Sequence, residues 1–219
     1  MITICIGFDP KEAIAYHVLC HSILSRASEP VCFIPINKTN IPEFTRGMED
    51  GSTEFSFSRF LTPFLSGYTG RSIYLDCDML VLCDIAEIFD HYNLKADVSV
   101  VKHDYIPKTR RKFRGNIQQV YPKKNWSSLM VFCNHTKACW SLKPEIVNTA
   151  TGKYLHQFEW AEDVGELPKE WNHLVGECEP NPDAKIVHFT LGIPSLKGYE
   201  DQEYSDEWFE ELTKVSRSC

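Results

Sequence analysis

Tyr74-Leu75-Asp76-Cys77-Asp78-Met79-Leu80-Val81 is the stretch on which the reading of this chain turns. It begins at the end of a β-rich run, Ser72-Ile73-Tyr74-Leu75, and places two aspartates directly after it. In an extended strand successive side chains alternate faces, so Asp76 and Asp78 are expected on one side and Cys77 on the other. Open α/β sheets bind ligands just beyond the carboxyl ends of their strands, which is where these carboxylates fall. Two like charges this close repel, and one pKa rises unless a cation sits between them. A hard divalent metal with oxygen ligands satisfies both carboxylates. Aspartates after strands also serve simply to cap turns. Asp84 is explained in that way, because Asp84-Ile85-Ala86-Glu87 has the spacing of a capping box and opens a helix expected to run to about Tyr92.

Outward from this segment, the chain reads as α/β. Ile2–Ile6 is an apolar strand, followed by Gly7-Phe8-Asp9-Pro10-Lys11-Glu12 and an apolar-periodic helix to about Ala27. Asp9 suits the N-cap, Pro10 the first helical position and Glu12 the reciprocal capping position. Val31–Ile36 is the next strand, giving a strand–helix–strand opening. A short helical stretch is expected over Phe57–Leu65, strands over Asp97–Lys102, Ser127–Phe132 and Ile186–Phe189, and helices around Thr136–Leu142 and from Ser205 through Ser216. The last has acids in its first turn and Lys214 and Arg217 at its end, which suits the helix dipole.

The 219 residues show no repeat, no low-complexity tract and no Gly/Ser linker, so a single domain over 1–219 is expected, alone or as one domain of a longer polypeptide. Lys plus Arg number 23 and Asp plus Glu 30, for a net charge of −7, which argues against nucleic-acid binding. The nine cysteines lack the spacing of a disulfide framework and point to free thiols in a reducing, cytoplasmic setting. No 18-residue apolar run is present, so no membrane span is expected. Charge is segregated. Pro107–Asn125 holds seven basic residues and no acid, while Tyr199–Glu211 holds seven acids and no base. The acidic run reads as a solvated face. The basic one, with Gly115 and Pro122 inside it, is expected to be a mobile loop that meets an anionic ligand.

The segment Tyr74–Val81 resembles the DxD element of GT-A-fold nucleotide-sugar glycosyltransferases, especially glycosyltransferase family 8 and related bacterial and algal-virus enzymes. Four further stretches agree in order: Phe57-Ser58-Arg59-Phe60 resembles the arginine-bearing helix, Ser127–Asn134 the central strand, Leu167-Pro168-Lys169-Glu170-Trp171-Asn172 the Leu-Pro-x-x-Trp-Asn element, and Val187-His188-Phe189 with Gly192 and Lys197 the terminal His-Phe motif. The resemblance covers about residues 1–200. It implies an α/β fold, a single GT-A-like domain with a Rossmann-like, mixed but mainly parallel sheet flanked by helices. It implies a DxD-dependent hexosyltransferase that moves a sugar from a UDP-sugar to a glycan or other hydroxyl acceptor.

The same resemblance implies residue roles. Asp76, Asp78 and His188 would hold the divalent ion, and an imidazole among the ligands favours Mn²⁺ over the alternative Mg²⁺. Gly7, Phe8 and Asp9 would receive the uridine, Asp76 and Cys77 would also bind the donor, and Lys197 and Arg59 would add positive charge at its phosphates; Arg59 has an ordinary surface or ion-paired role as its alternative. Glu162 and Asp163 occupy the place where the family keeps an acidic residue near the reacting sugar, as general base or stabiliser. This chain departs from the family at Trp126-Ser127-Ser128, at Gly198-Tyr199 and in lacking an Asp-Gln pair after the central strand. These departures lie where sugar and acceptor bind, so the resemblance speaks to nucleotide and metal rather than to a particular sugar. Rival readings are a nucleotidyltransferase, which calls for a Gly-rich basic loop after the first strand, and a non-catalytic nucleotide- or glycan-binding domain. A zinc module at Cys133-Asn134-His135 and Cys139 lacks any CxxC pair.

Overall fold

The computed structural model describes residues 1–47, 53–108 and 121–217. Residues 109–120, most of the basic run expected to form a loop, lie outside the described residues.

The strands are β1 (Ile2–Gly7), β2 (Val31–Ile36), β3 (Arg71–Leu75), β4 (Met79–Val81), β5 (Val98–Val100), β6 (Leu129–Cys133), β7 (Val164–Glu166), β8 (His173–Leu174) and β9 (Ile186–His188). Six of them form one sheet in the order β2-β1-β3-β6-β5-β7. The pairs β1/β2, β1/β3 and β5/β7 are parallel, and β6 alone runs against both of its neighbours. This is the expected mixed, mainly parallel sheet. The inner strands are near-continuous apolar runs, such as Leu129-Met130-Val131-Phe132-Cys133, because both faces of the sheet are covered. β2 is an edge, and there Pro35 costs the sheet little.

The other three strands make a small second sheet in the order β4-β9-β8. It was not foreseen in the sequence, because β4 and β8 are too short to show periodicity. Helix α1 (Ala13–Leu24) joins the two sheets. Its Ser22 Oγ accepts from Val81 N at 3.1 Å, and Ala15 and Val18 enter a second apolar cluster with Leu80, Val187, Phe189 and Trp208. Trp208 belongs to the C-terminal helix Ser205–Arg217, close to its expected bounds. Between these lie four short helices: α2 (Thr62–Leu65), α3 (Lys137–Ser141), α4 (Pro144–Thr149) and α5 (Gly152–His156), so the C-terminal helix is α6.

Two helix starts differ from expectation. Pro10–Glu12 is a separate 3-10 turn capped by Asp9, whose Oδ1 accepts from Lys11 N at 2.9 Å, so α1 begins after it. Asp84 caps Ala86 N at 3.0 Å, but the reciprocal half of its capping box does not form. The Glu87 carboxylate instead takes Lys185 Nζ at 2.6 Å, and the segment Ile85–Asp90 is a 3-10 helix rather than an α-helix to Tyr92.

Candidate active site

Strand β1 has β2 on one side and β3 on the other, so successive chain connections leave it in opposite directions and open a crevice at its carboxyl end. Ile6 stands beside Leu75 in the register, and therefore Gly7 and Asp76 leave the sheet side by side. The Asp76-Cys77-Asp78 segment is not extended as expected. The chain turns at Cys77 and Asp78 and re-enters as β4 in the small sheet. The two carboxylates meet through that turn, not through strand alternation. Cys77 is fully buried in the core, which raises its thiol pKa well above the ordinary value, so its side chain packs inside the protein.

The small sheet supplies the third member. Met79 pairs with His188 across β4 and β9, and Phe189 N donates to Asp78 O at 2.9 Å. His188 Nε2 thereby sits 3.3 Å from Asp78 Oδ1. One ligand atom each from Asp76, Asp78 and His188 lie within 4.8 Å of one another. Two carboxylate oxygens and an imidazole nitrogen are a donor set for a divalent cation, and ligand bonds of about 2.0–2.2 Å span such a space with small side-chain adjustment. The residues fit the metal that the fold implies.

Behind Asp76 stands Arg59, buried, with Nη2 3.1 Å from Asp76 Oδ1 and Nη1 donating to Ser127 O at 2.8 Å. Tyr74 Oη also donates to Asp76 Oδ1, at 2.6 Å. Burial raises the pKa of Asp76 and the Asp78 charge adds to this, while Arg59 opposes it. Burial alone would lower the pKa of Arg59, but Asp76 and its other neighbours hold it above the ordinary value. Arg59 is thus the ion-paired residue of its alternative reading, with its charge beside the site.

Gly7 is buried, but its space is taken by protein: a Cβ there would lie 2.5 Å from Phe55 Cγ and 2.8 Å from Tyr74 Oη. The glycine makes room for the tyrosine that holds Asp76. Phe8 packs edge-on against Tyr16 at 5.3 Å, and Asp9 caps its turn. Lys197 is exposed on the turn-rich segment after β9.

Glu162 and Asp163 are not brought to this site. Val164 is level with Val98, Val98 with Phe132, and Phe132 with Ser72, so the residues before β7 lie at the amino end of β3. That is about 16 Å along the strands and about 14 Å across them from Asp76. Their backbone N–H groups donate to Asp97 Oδ2 at 2.8 and 3.1 Å, and both side chains are exposed. The expectation that they flank the reacting sugar is corrected accordingly.

The roles of Tyr74, Ser128 and Asn172 were not read from the sequence: Tyr74 meets Asp76 only through the turn that follows β3, and Ser128 and Asn172 find their partners across the fold. Sequence reasoning also passed over Tyr121, which interacts electrostatically with Arg59 and Asp76 and lies 5.6 Å beneath Lys124 Nζ. His103, past the end of β5, has its Nε2 buried without a hydrogen-bond partner, and burial lowers its pKa to about 3.

No protein-family model matches the chain. Protein CDI of Arabidopsis thaliana is 44% identical over 98% of this chain and 87% of its own length. The chain belongs to the family of Protein CDI. The chain shares its fold with solved glycosyltransferases at much lower identity. The glycosyltransferase GlyE of Streptococcus pneumoniae TIGR4 superposes with a TM-score of 0.65 at 12% identity, over 100% of this chain and 63% of GlyE. The galactosyltransferase LgtC, solved in complex with donor and acceptor sugar analogues, gives 0.60 at 11% identity, over 97% of this chain and 96% of LgtC. The chain has the GT-A fold of these enzymes.

Proposed function

We propose that this chain is a metal-dependent glycosyltransferase, which transfers a sugar from a UDP-sugar donor to a glycan or other hydroxyl acceptor. The observation that carries the reading is the Asp76–Asp78–His188 group, assembled from two sheets at the topological switch point beside β1. The LgtC neighbour, solved with donor and acceptor sugar analogues, supports a sugar donor and a sugar acceptor for this chain as well.

In this reading Asp76, Asp78 and His188 hold the cation, and the imidazole favours Mn²⁺ over Mg²⁺. When bound, the cation supplies positive charge against the diphosphate that departs as UDP. Arg59 fixes Asp76 and adds a buried positive charge behind it. The Gly7-Phe8-Asp9 turn faces the uridine, and Lys197 reaches toward the phosphates from the segment after His188. Asp76 and Cys77 line the donor through backbone and carboxylate, without the thiol. Glu162 and Asp163 take no part. We read residues 1–219 as one glycosyltransferase domain. Eight cysteines among the described residues are free thiols, which supports a cytoplasmic setting. Among the described residues no helix is long and apolar enough to cross a membrane.

The test is a screen of UDP-sugars for donor hydrolysis by the purified protein with and without Mn²⁺. The reading expects at least one donor to be cleaved only when the metal is present. Absence of hydrolysis across the common UDP-hexoses, -pentoses and -hexosamines would leave a binding domain, and cleavage indifferent to metal would remove the Asp76–Asp78–His188 role.

A further inference from the structure

Of the three residues in the candidate metal group, His188 is the one whose competence depends on which of two nitrogens carries a proton. Its Nε2 faces Asp78 Oδ1 at 3.3 Å, and its Nδ1 lies 3.1 Å from Asn172 Oδ1. An imidazole can offer Nε2 to a cation only if the ring's single proton is on Nδ1. The hydrogen-bond pattern around Asn172 decides this. The Asn125 carbonyl can only accept, and it takes the Ser128 hydroxyl proton at 2.7 Å. With its one proton committed, Ser128 Oγ can only accept from Asn172, and Nδ2 lies 2.9 Å away. The amide is therefore turned with its NH₂ toward Ser128 and its oxygen toward His188. An amide oxygen can only accept, so Nδ1 carries a proton, and in the neutral ring that is the only one. Ser128 and Asn172 are buried, so the polarity passes from a backbone carbonyl to the ring away from solvent.

Ser128 also touches the other side of the site, since its carbonyl accepts from Asp76 N at 3.0 Å. One residue thus holds the backbone of one metal-group aspartate and, through Asn172, the ring of the histidine. We propose that Ser128 and Asn172 are positioning residues which set the His188 tautomer, leave Nε2 bare for a divalent cation, and fix its place relative to Asp76. This rests on the reading of Asp76, Asp78 and His188 as a divalent-metal site. Partners of this kind around a ligating histidine are worth about 10- to 100-fold in metal affinity.

Two measurements separate the proposal from that reading. The first is a long-range ¹H–¹⁵N correlation spectrum of the imidazole rings in the metal-free wild-type protein at mildly alkaline pH, with His188 assigned by its absence from His188→Gln. The expected result is the Nδ1–H tautomer; an Nε2–H or mixed ring overturns the proposal whatever the protein binds. The second is titration with Mn²⁺ followed by electron paramagnetic resonance. Asn172→Ala is expected to bind 10- to 100-fold more weakly than wild type, and Ser128→Ala to weaken binding less but in the same direction. Wild-type affinity in both variants overturns the positioning role and leaves the metal site standing. Failure of the wild type itself to bind Mn²⁺ overturns the metal reading, and with it the role proposed for the tautomer.

Discussion

A methyl group on Gly7 would meet Phe55 Cγ at 2.5 Å and Tyr74 Oη at 2.8 Å, and both partners belong to the wall behind Asp76. Glycine was read in the sequence as a place where a ligand comes close. The space is instead filled by the protein's own aromatic side chains, so a local motif was legible while its reason was not. Gly7→Ala should cost about 1–3 kcal/mol by overpacking. Denaturant unfolding measures this, and Mn²⁺ affinity should fall with it because Tyr74 Oη is displaced from Asp76. An alanine variant as stable as wild type would show that Phe55 and Tyr74 do not hold the positions described. Asp76, Asp78 and His188 were all legible, the aspartates from their place after an apolar run and the histidine only through family resemblance. Of the residues that orient them, Arg59 was legible with its ion-paired role as an alternative, whereas Ser128 and Asn172 were not, since they reach the site across long stretches of chain.

At the level of elements, α6 shows how an acidic run can mislead. The seven acids of Tyr199–Glu211 read as a solvated face, yet Glu211 is only 1% exposed. Trp208 and Glu211 are three apart on the helix and share its buried face, where the carboxylate meets α1. It contacts His21 Nδ1 at 2.5 Å and Arg26 at 3.3 Å. Burial would raise the pKa of Glu211, but the His21 and Arg26 hydrogen bonds outweigh it and hold the group below the ordinary carboxylate range. A depressed folded-state pKa means that the ionised form favours folding. The contribution is complete above the unfolded glutamate value and is lost as the pH falls through the folded one. Glu211→Gln should therefore be less stable at neutral pH by roughly 1.5–3 kcal/mol, the range for hydrogen bonds to charged groups. The gap to wild type should narrow in acid. Thermal melts across pH check this, and a gap that stays constant would mean that the clamp does not depend on ionisation.

For the whole molecule, the decisive arrangement is the pairing of a large sheet with a small one. Four strands of the large sheet, β1, β2, β3 and β6, were legible as apolar runs of five or six residues and β5 was read longer than it is, but the three-residue β7 was not foreseen. In the small sheet only β9 was foreseen, because the two- and three-residue strands β8 and β4 carry no period. Nor could the sequence say at which end of the large sheet a given loop lies. Glu162 and Asp163 follow a plausible motif, but the parallel pairing of β5 with β7 sends them to the end opposite Asp76. Glu162→Gln and Asp163→Asn should each leave metal-dependent donor turnover within about twofold of wild type, since a catalytic acid or base contributes about 10²–10⁴-fold. A loss on that scale in steady-state assays would restore them to the chemistry. The central claim, that two carboxylates and an imidazole join a cation to a nucleotide diphosphate, is tested most directly by calorimetric titration of UDP with and without Mn²⁺. Wild-type protein should bind UDP at least tenfold more tightly with the metal, and an Asp76→Asn, Asp78→Asn double variant should show no such gain. UDP affinity that is the same with and without Mn²⁺ in the wild type would contradict the account.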